Sequence, residues 1–134
     1  MSIVGIVLSV VVAAVILTVY FAQPVLGGRW EAAVIRWTGQ THEQLNSGFP
    51  MRVGQWMVSA IVNAVVLAYL VSRLGITTPV DGAVLGAVAW LGFGTTFAFW
   101  PVVFQNQPRA IWIINSVAFL IIQVLAGAIL GATA

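Results

Sequence analysis

The sequence predicts an all-α polytopic membrane protein with four transmembrane helices and a short interfacial helix in the first loop. Two observations carry that prediction. Four long apolar stretches, Ile3–Ala22, Val53–Val71, Gly82–Trp100 and Ala110–Leu130, contain no charged residue. A helix rises about 1.5 Å per residue and a bilayer's hydrocarbon core is about 30 Å thick, so each stretch is long enough to cross it. Hydrophobic residues make up 61% of the 134 residues and charged residues only 6%, against roughly 25% charged in soluble domains. Lipid is therefore the expected solvent for most side chains. The length suits one compact domain over residues 1–134.

The first stretch, Ile3–Ala22, reads as a retained helix. No Arg or Lys precedes it, its apolar run exceeds a typical signal core, and Tyr20 is too large for a cleavage site ending at Ala22.

Loop one, Gln23 to Arg52, is the only long connection. Within it Trp30, Val34 and Trp37 fall on one side of a helix, and Arg29, Arg36 and Gln40 on another. That spacing predicts a short helix in the headgroup region, anchored by Trp30 and Trp37 with Arg29 and Arg36 on its polar face. A docking surface for a soluble partner is the alternative use of this segment. Thr41-His42-Glu43-Gln44 has capping-box spacing and predicts a second short turn. Asn46-Ser47-Gly48-Phe49-Pro50 then reads as a break before helix two.

On helix two, Gln55, Ser59 and Asn63 are spaced four apart and form one polar stripe. Helix four carries a comparable stripe of Asn115 and Gln123, with Phe119 between them and Ser116 alongside. Amides facing lipid are costly, so both stripes are expected to face the bundle interior or another protomer. They serve either as hydrogen-bonded glue between helices or as a polar lining for a small solute. In helix three, Trp90-Leu91-Gly92-Phe93-Gly94-Thr95-Thr96 places two glycines beside two threonines. Threonine hydroxyls can bond back to backbone carbonyls, which predicts local bending at Thr95 and Thr96.

Small residues supply close-packing faces: Gly5, Ser9 and Ala13 on helix one, Gly82 and Gly86 on helix three, Gly127 and Gly131 on helix four. Such faces let backbones approach, within one protomer or between protomers. Helices one and three also align at an offset of 77 residues, with Gly5 on Gly82, Thr18 on Thr95 and Pro24-Val25 on Pro101-Val102. A tandem two-helix repeat would produce that register. Two spans per unit give both copies the same orientation.

Charge sets the topology and removes several chemistries. Arg29, Arg36, Arg52 and Arg109 flank loops one and three, against Arg73 alone in loop two. The positive-inside rule then places loops one and three in the cytoplasm and both termini outside. A net charge of +2 is too small and dispersed for nucleic-acid binding. The absence of cysteine removes thiolate catalysis, disulfides and thiolate metal sites. Glu31, Glu43, Asp81 and His42 lie in loops or at helix ends, so no acid or histidine sits at the midplane, where proton relays need one. A single histidine and no recognisable ligand spacing predict no metal and no cofactor. No catalytic residue is assigned, and no enzyme is expected.

The order of landmarks resembles the bacterial membrane family catalogued as domain of unknown function 1761. The resemblance rests on Tyr20-Phe21, Val25-Leu26-Gly27 with Trp30, Ala68-Tyr69-Leu70 and the tetrad Trp90-Leu91-Gly92-Phe93. Phe104 with Pro108, Asn115 after paired isoleucines, and Gly127-Ala128-Ile129-Leu130-Gly131 complete it. Relatives often carry Tyr-His in the last helix where this chain has Ala118-Phe119. The resemblance implies four spans and a bacterial cell membrane, and it implies no activity.

The expected function is a non-enzymatic accessory, assembly or structural membrane subunit. Membrane lipids and either a second copy or another membrane subunit are its expected partners. An oligomeric passive channel lined by the polar stripes, or a binder of lipid or hydrophobic ligand using Trp56, Trp90, Trp100 and Trp112, are the alternatives.

Overall fold

The computed structural model describes all residues 1–134 and contains helices and turns with no strand. Helix α1 spans Ile3–Tyr20 and is capped by Ser2, whose Oγ accepts the Gly5 N–H at 2.9 Å. It stops two residues short of the predicted Ala22. A wide turn over Gln23–Gly27, with the Gly27 N–H donating to the Ala22 carbonyl, then leads into α2, Gly28–Thr38. Gly39 ends α2 at φ +71°, a left-handed conformation that glycine adopts without steric cost.

The short helix α3, His42–Asn46, begins with the predicted capping box. The Gln44 N–H donates to Thr41 Oγ1 at 3.1 Å, and the Thr41 N–H donates to the Gln44 side-chain oxygen at 2.9 Å. Gly48 breaks the chain at φ +69°, and Pro50 occupies the first turn of α4, Phe49–Arg73. Proline is pre-set for a first turn, so α4 begins four residues before the predicted Val53 and takes Arg52 inside the helix.

The third span runs from Pro79 to Phe104 and is not one regular helix. Thr78 caps α5, Pro79–Ala89, by accepting the Asp81 N–H at 3.1 Å. A π-type turn over Trp90–Thr95 and a tight turn over Phe97–Phe99 precede α6, Trp100–Phe104. The irregularity falls on the glycine-threonine segment, and Thr96 Oγ1 donates back to the Gly92 carbonyl at 3.0 Å. Helix α7, Arg109–Ala132, completes four helices long and apolar enough to cross a membrane.

Helix α7 is the hub, packing on α5, α1, α4 and α2. Its contact with α5 is the closest, for a steric reason. A methyl group built on Gly82 would collide with the Gly127 carbonyl, one on Gly86 with the Gln123 carbonyl, and one on Gly131 with the Thr78 carbonyl. Gly5 of α1 instead meets side chains, those of Thr133 and Leu130 at the end of α7. The small-residue faces are thus used inside the chain. Leu67, Ala68 and Val71 of α4 close a core with Ala126 and Leu130 of α7.

Helix α4 is packed along half its length only. Its buried residues, Ala64, Leu67, Ala68 and Val71, all follow Asn63, and none lies between Phe49 and Asn63. The leading half, on the side of loops one and three, therefore carries no fully buried side chain. Those loops meet, because Trp37 of α2 donates its indole N–H to the Gln105 carbonyl at 2.9 Å. Tyr20 adds a bond from its hydroxyl to the Ile114 carbonyl of α7 at 2.8 Å.

The two halves aligned at 77 residues share some geometry. Pro24 and Pro101 each stand second in a new helical turn, and Gly5 and Gly82 both pack on α7. Their π-type turns, Gln23–Gly27 and Trp90–Thr95, do not superpose at that offset.

Candidate functional site

The two polar stripes meet at one point. Asn63 and Gln123 are each the fifteenth residue of their helices, α4 and α7, which start on the same side. They reach the same depth and bond reciprocally. Asn63 Nδ2 donates to Gln123 Oε1 at 3.0 Å, and Gln123 Nε2 donates to Asn63 Oδ1 at 2.9 Å. With no water in the hydrocarbon core, each amide finds its partner in the other.

Towards loops one and three from this pair, the leading half of α4 borders a cleft of about 390 Å³. That volume lies in the roughly 300–1,000 Å³ range of small-molecule sites. All four spans line it. Helix α4 contributes Trp56, Ser59, Ala60, Asn63 and Ala64; α7 contributes Phe119, Ile122, Gln123 and Ala126; the third span adds Trp90 and Gly94, and α1 adds Ser9 and Ala13. No lining residue is ionisable. The arrangement can hold an uncharged apolar molecule and offer it hydrogen bonds at one end.

The third-span wall of the cleft is latched to α7 by three bonds. Trp90 Nε1 donates to the Ser116 carbonyl at 2.8 Å, Thr95 Oγ1 to Ser116 Oγ at 2.7 Å, and Trp112 Nε1 to the Thr95 carbonyl at 2.9 Å. A π-type turn leaves carbonyls outside the regular i→i−4 ladder, and here the indole of Trp112 takes up one of them.

A model of a family described as protein of unknown function matches residues 3–131. The chain belongs to the DUF1761 family. The DUF1761 match spans all four membrane-length helices, α2 and every cleft residue. Searches of curated proteins and of solved structures find no match.

Other expected site residues of this DUF1761 chain are placed apart from the amide pair. Gln55 is exposed and does not line the cleft, although Ser59, one turn on, does. Asn115 is half-buried and makes no side-chain hydrogen bond, so the structure does not bring it to Asn63. Thr95 is buried in the latch, and Thr96 is exposed. Of the four tryptophans considered for a ligand, Trp56 and Trp90 line the cleft. Trp112 serves the latch, and Trp100 is exposed beside Phe104, ring centroids 4.4 Å apart. Sequence reasoning missed Ala60 and Ile122 as walls, and the usable signal was their position within one turn of Asn63 and Gln123.

Helix α2 has the predicted amphipathic order, with Arg29 and Arg36 exposed and Val34 buried. Trp30 packs edge-on against Phe21 at 5.7 Å, and its N–H is buried without a hydrogen-bond partner. Nearby, Glu31 pairs with His42 of α3 and accepts from Gln23 Nε2 at 2.8 Å. Asn46 Nδ2 donates to the His42 carbonyl at 2.8 Å. The hydrogen bond from His42, then that from Gln23, holds the Glu31 carboxyl below the usual carboxylate range. This cluster ties α2 to α3 and lies outside the spans.

Proposed function

We propose that this DUF1761 protein is a non-enzymatic membrane protein that holds an uncharged hydrophobic ligand in the cleft between α4, α7 and the third span. The observation that carries this reading is the half-packed α4. Beside it lies a cleft of ligand size, lined by all four spans and by the amide pair. A passive channel would need a continuous polar path, whereas Asn63 and Gln123 bond to each other across the α4–α7 contact and Asn115 stays apart. The arginine distribution supports cytoplasmic loops one and three, with Arg29 and Arg36 beside the headgroups.

Saturable quenching of tryptophan fluorescence by an uncharged brominated fatty-acid methyl ester in nanodiscs tests the reading. Trp56 and Trp90 line the cleft, so quenching saturates in the wild type, and Ala60→Phe, which fills the cleft, abolishes the saturable part. A linear response in both proteins would show partitioning alone and sink the proposal.

A second reading, the accessory or assembly subunit, draws on the same half of α4. Val58, Ile61 and Val62 are exposed there on one side of the helix and offer an apolar face to a neighbouring membrane subunit. Co-purification of a stoichiometric partner, lost on Val58→Ser with Val62→Ser, supports that role; a complex unchanged by these substitutions counts against this face.

A further inference from the structure

The hydrogen-bond inventory of the cleft specifies what its ligand carries. A primary amide has two N–H groups and an oxygen with two lone pairs. The Asn63–Gln123 pair uses one N–H and one lone pair of each residue, so one N–H on each stays unspent. Trp56 adds a third donor. Of the six tryptophans, Trp37, Trp90 and Trp112 donate to backbone carbonyls and Trp30, Trp56 and Trp100 donate to no group of the chain; of these last three only Trp56 lines the cleft. The hydroxyls lining the cleft are already committed: Ser9 donates to the Gly5 carbonyl at 2.7 Å and Ser59 to the Gln55 carbonyl at 3.3 Å.

The imbalance has a sign. Away from water an unpaired N–H is costlier and rarer than an oxygen with a spare lone pair. The unmet demand of the site is therefore for acceptors. A carboxylate or phosphate would supply them but would bring a charge to membrane depth with no ionisable partner in the lining. A neutral carbonyl oxygen supplies them without that cost. Trp56, Trp90 and Phe119 add aromatic rings to the walls, and flat rings pack well against such side chains.

We infer that the ligand of the cleft is a neutral, membrane-soluble carbonyl compound of the quinone type, its oxygens accepting from Trp56 and the amide pair. This inference rests on the ligand-binding reading above and names the class of molecule. It involves recognition only, with no electron or group transfer.

Calorimetric titration of the full chain in nanodiscs, with protein-free nanodiscs subtracted, separates the two claims. Three probes share one carbon skeleton: duroquinone with two carbonyls, durohydroquinone with two hydroxyls, and durene with neither. The wild type is expected to bind duroquinone saturably and roughly tenfold more tightly than durene, as one or two added hydrogen bonds allow. Trp56→Phe keeps an aromatic ring and removes one donor. The double variant Asn63→Leu with Gln123→Leu removes both amides together, so no buried partner is orphaned. Both variants should bring duroquinone binding down towards the level at which the same variant binds durene, so that the preference for the carbonyl compound is lost. Equal binding of duroquinone and durene, or tighter binding of durohydroquinone, overturns the carbonyl inference and leaves the cleft a ligand site. Failure of all three probes to saturate overturns the cleft reading as well.

Discussion

Asn63 and Gln123 stand 60 residues apart in sequence and hold each other by two opposed amide hydrogen bonds, of 3.0 and 2.9 Å. They join α4 to α7 just before the buried half of α4 begins, and both side chains line the cleft. Interhelical bonds of this kind contribute about 0.6–2 kcal/mol.

Breaking the pair from one side orphans the other amide. Asn63→Leu alone should cost about 1–2 kcal/mol, and adding Gln123→Leu should recover part of that loss. A double-mutant cycle on unfolding in detergent micelles measures the coupling. Strictly additive losses would show that the two amides do not act together.

The glycines of the α5–α7 contact differ sharply from those of the π-type turn. Gly82→Ala forces a methyl into the Gly127 carbonyl, whereas nothing lies within 4 Å of a methyl on Gly92. Thermal unfolding should show Gly82→Ala destabilised by about 1–3 kcal/mol or more, since backbone cannot yield as a side chain can. Gly92→Ala should stay close to wild type. Equal effects would contradict the packing described.

The two adjacent threonines make a second contrast. Thr95 is buried and donates to Ser116, while Thr96 is exposed and donates only within its own turn. Thr95→Val should cost about 1 kcal/mol by deleting a buried bond, and Thr96→Val should be nearly silent. The difference is read from paired melting curves; a larger loss in Thr96→Val would place the latch elsewhere.

Outside the spans, Glu31 predicts a pH response. Its folded carboxyl lies below the usual carboxylate range because His42 and Gln23 hydrogen-bond it. A lowered folded value means that its contribution is fully present above the ordinary carboxylate value. It is lost as pH falls through the folded one. Protection factors for amide exchange across α2 and α3, corrected for the intrinsic pH dependence, should therefore fall on acidification into that range, and Glu31→Gln should remove the dependence. An unchanged acid profile in Glu31→Gln would assign the response to another group.

Much of the fold was legible in the sequence because lipid imposes length and apolarity on a span. The capping box at Thr41, the break at Gly48 and the irregular segment at Gly92–Thr96 were readable too, since each depends on local chemistry. The cleft was not. That Asn63 meets Gln123, and not Asn115, depends on the relative axial positions of α4 and α7, which helical periodicity leaves free. The start of α4 at Phe49 was missed because Arg52 suggested a loop, whereas Pro50 opens a helical first turn. The half-packing of α4 arises from contacts among four helices, and no single stripe encodes it.

Native mass spectrometry of the protein released gently from its own membranes tests the central claim most directly. The account predicts a stoichiometric small-molecule adduct on the wild type that Ala60→Phe abolishes while the protein stays folded. An adduct-free wild type, or an adduct that persists undiminished in Ala60→Phe, would contradict it.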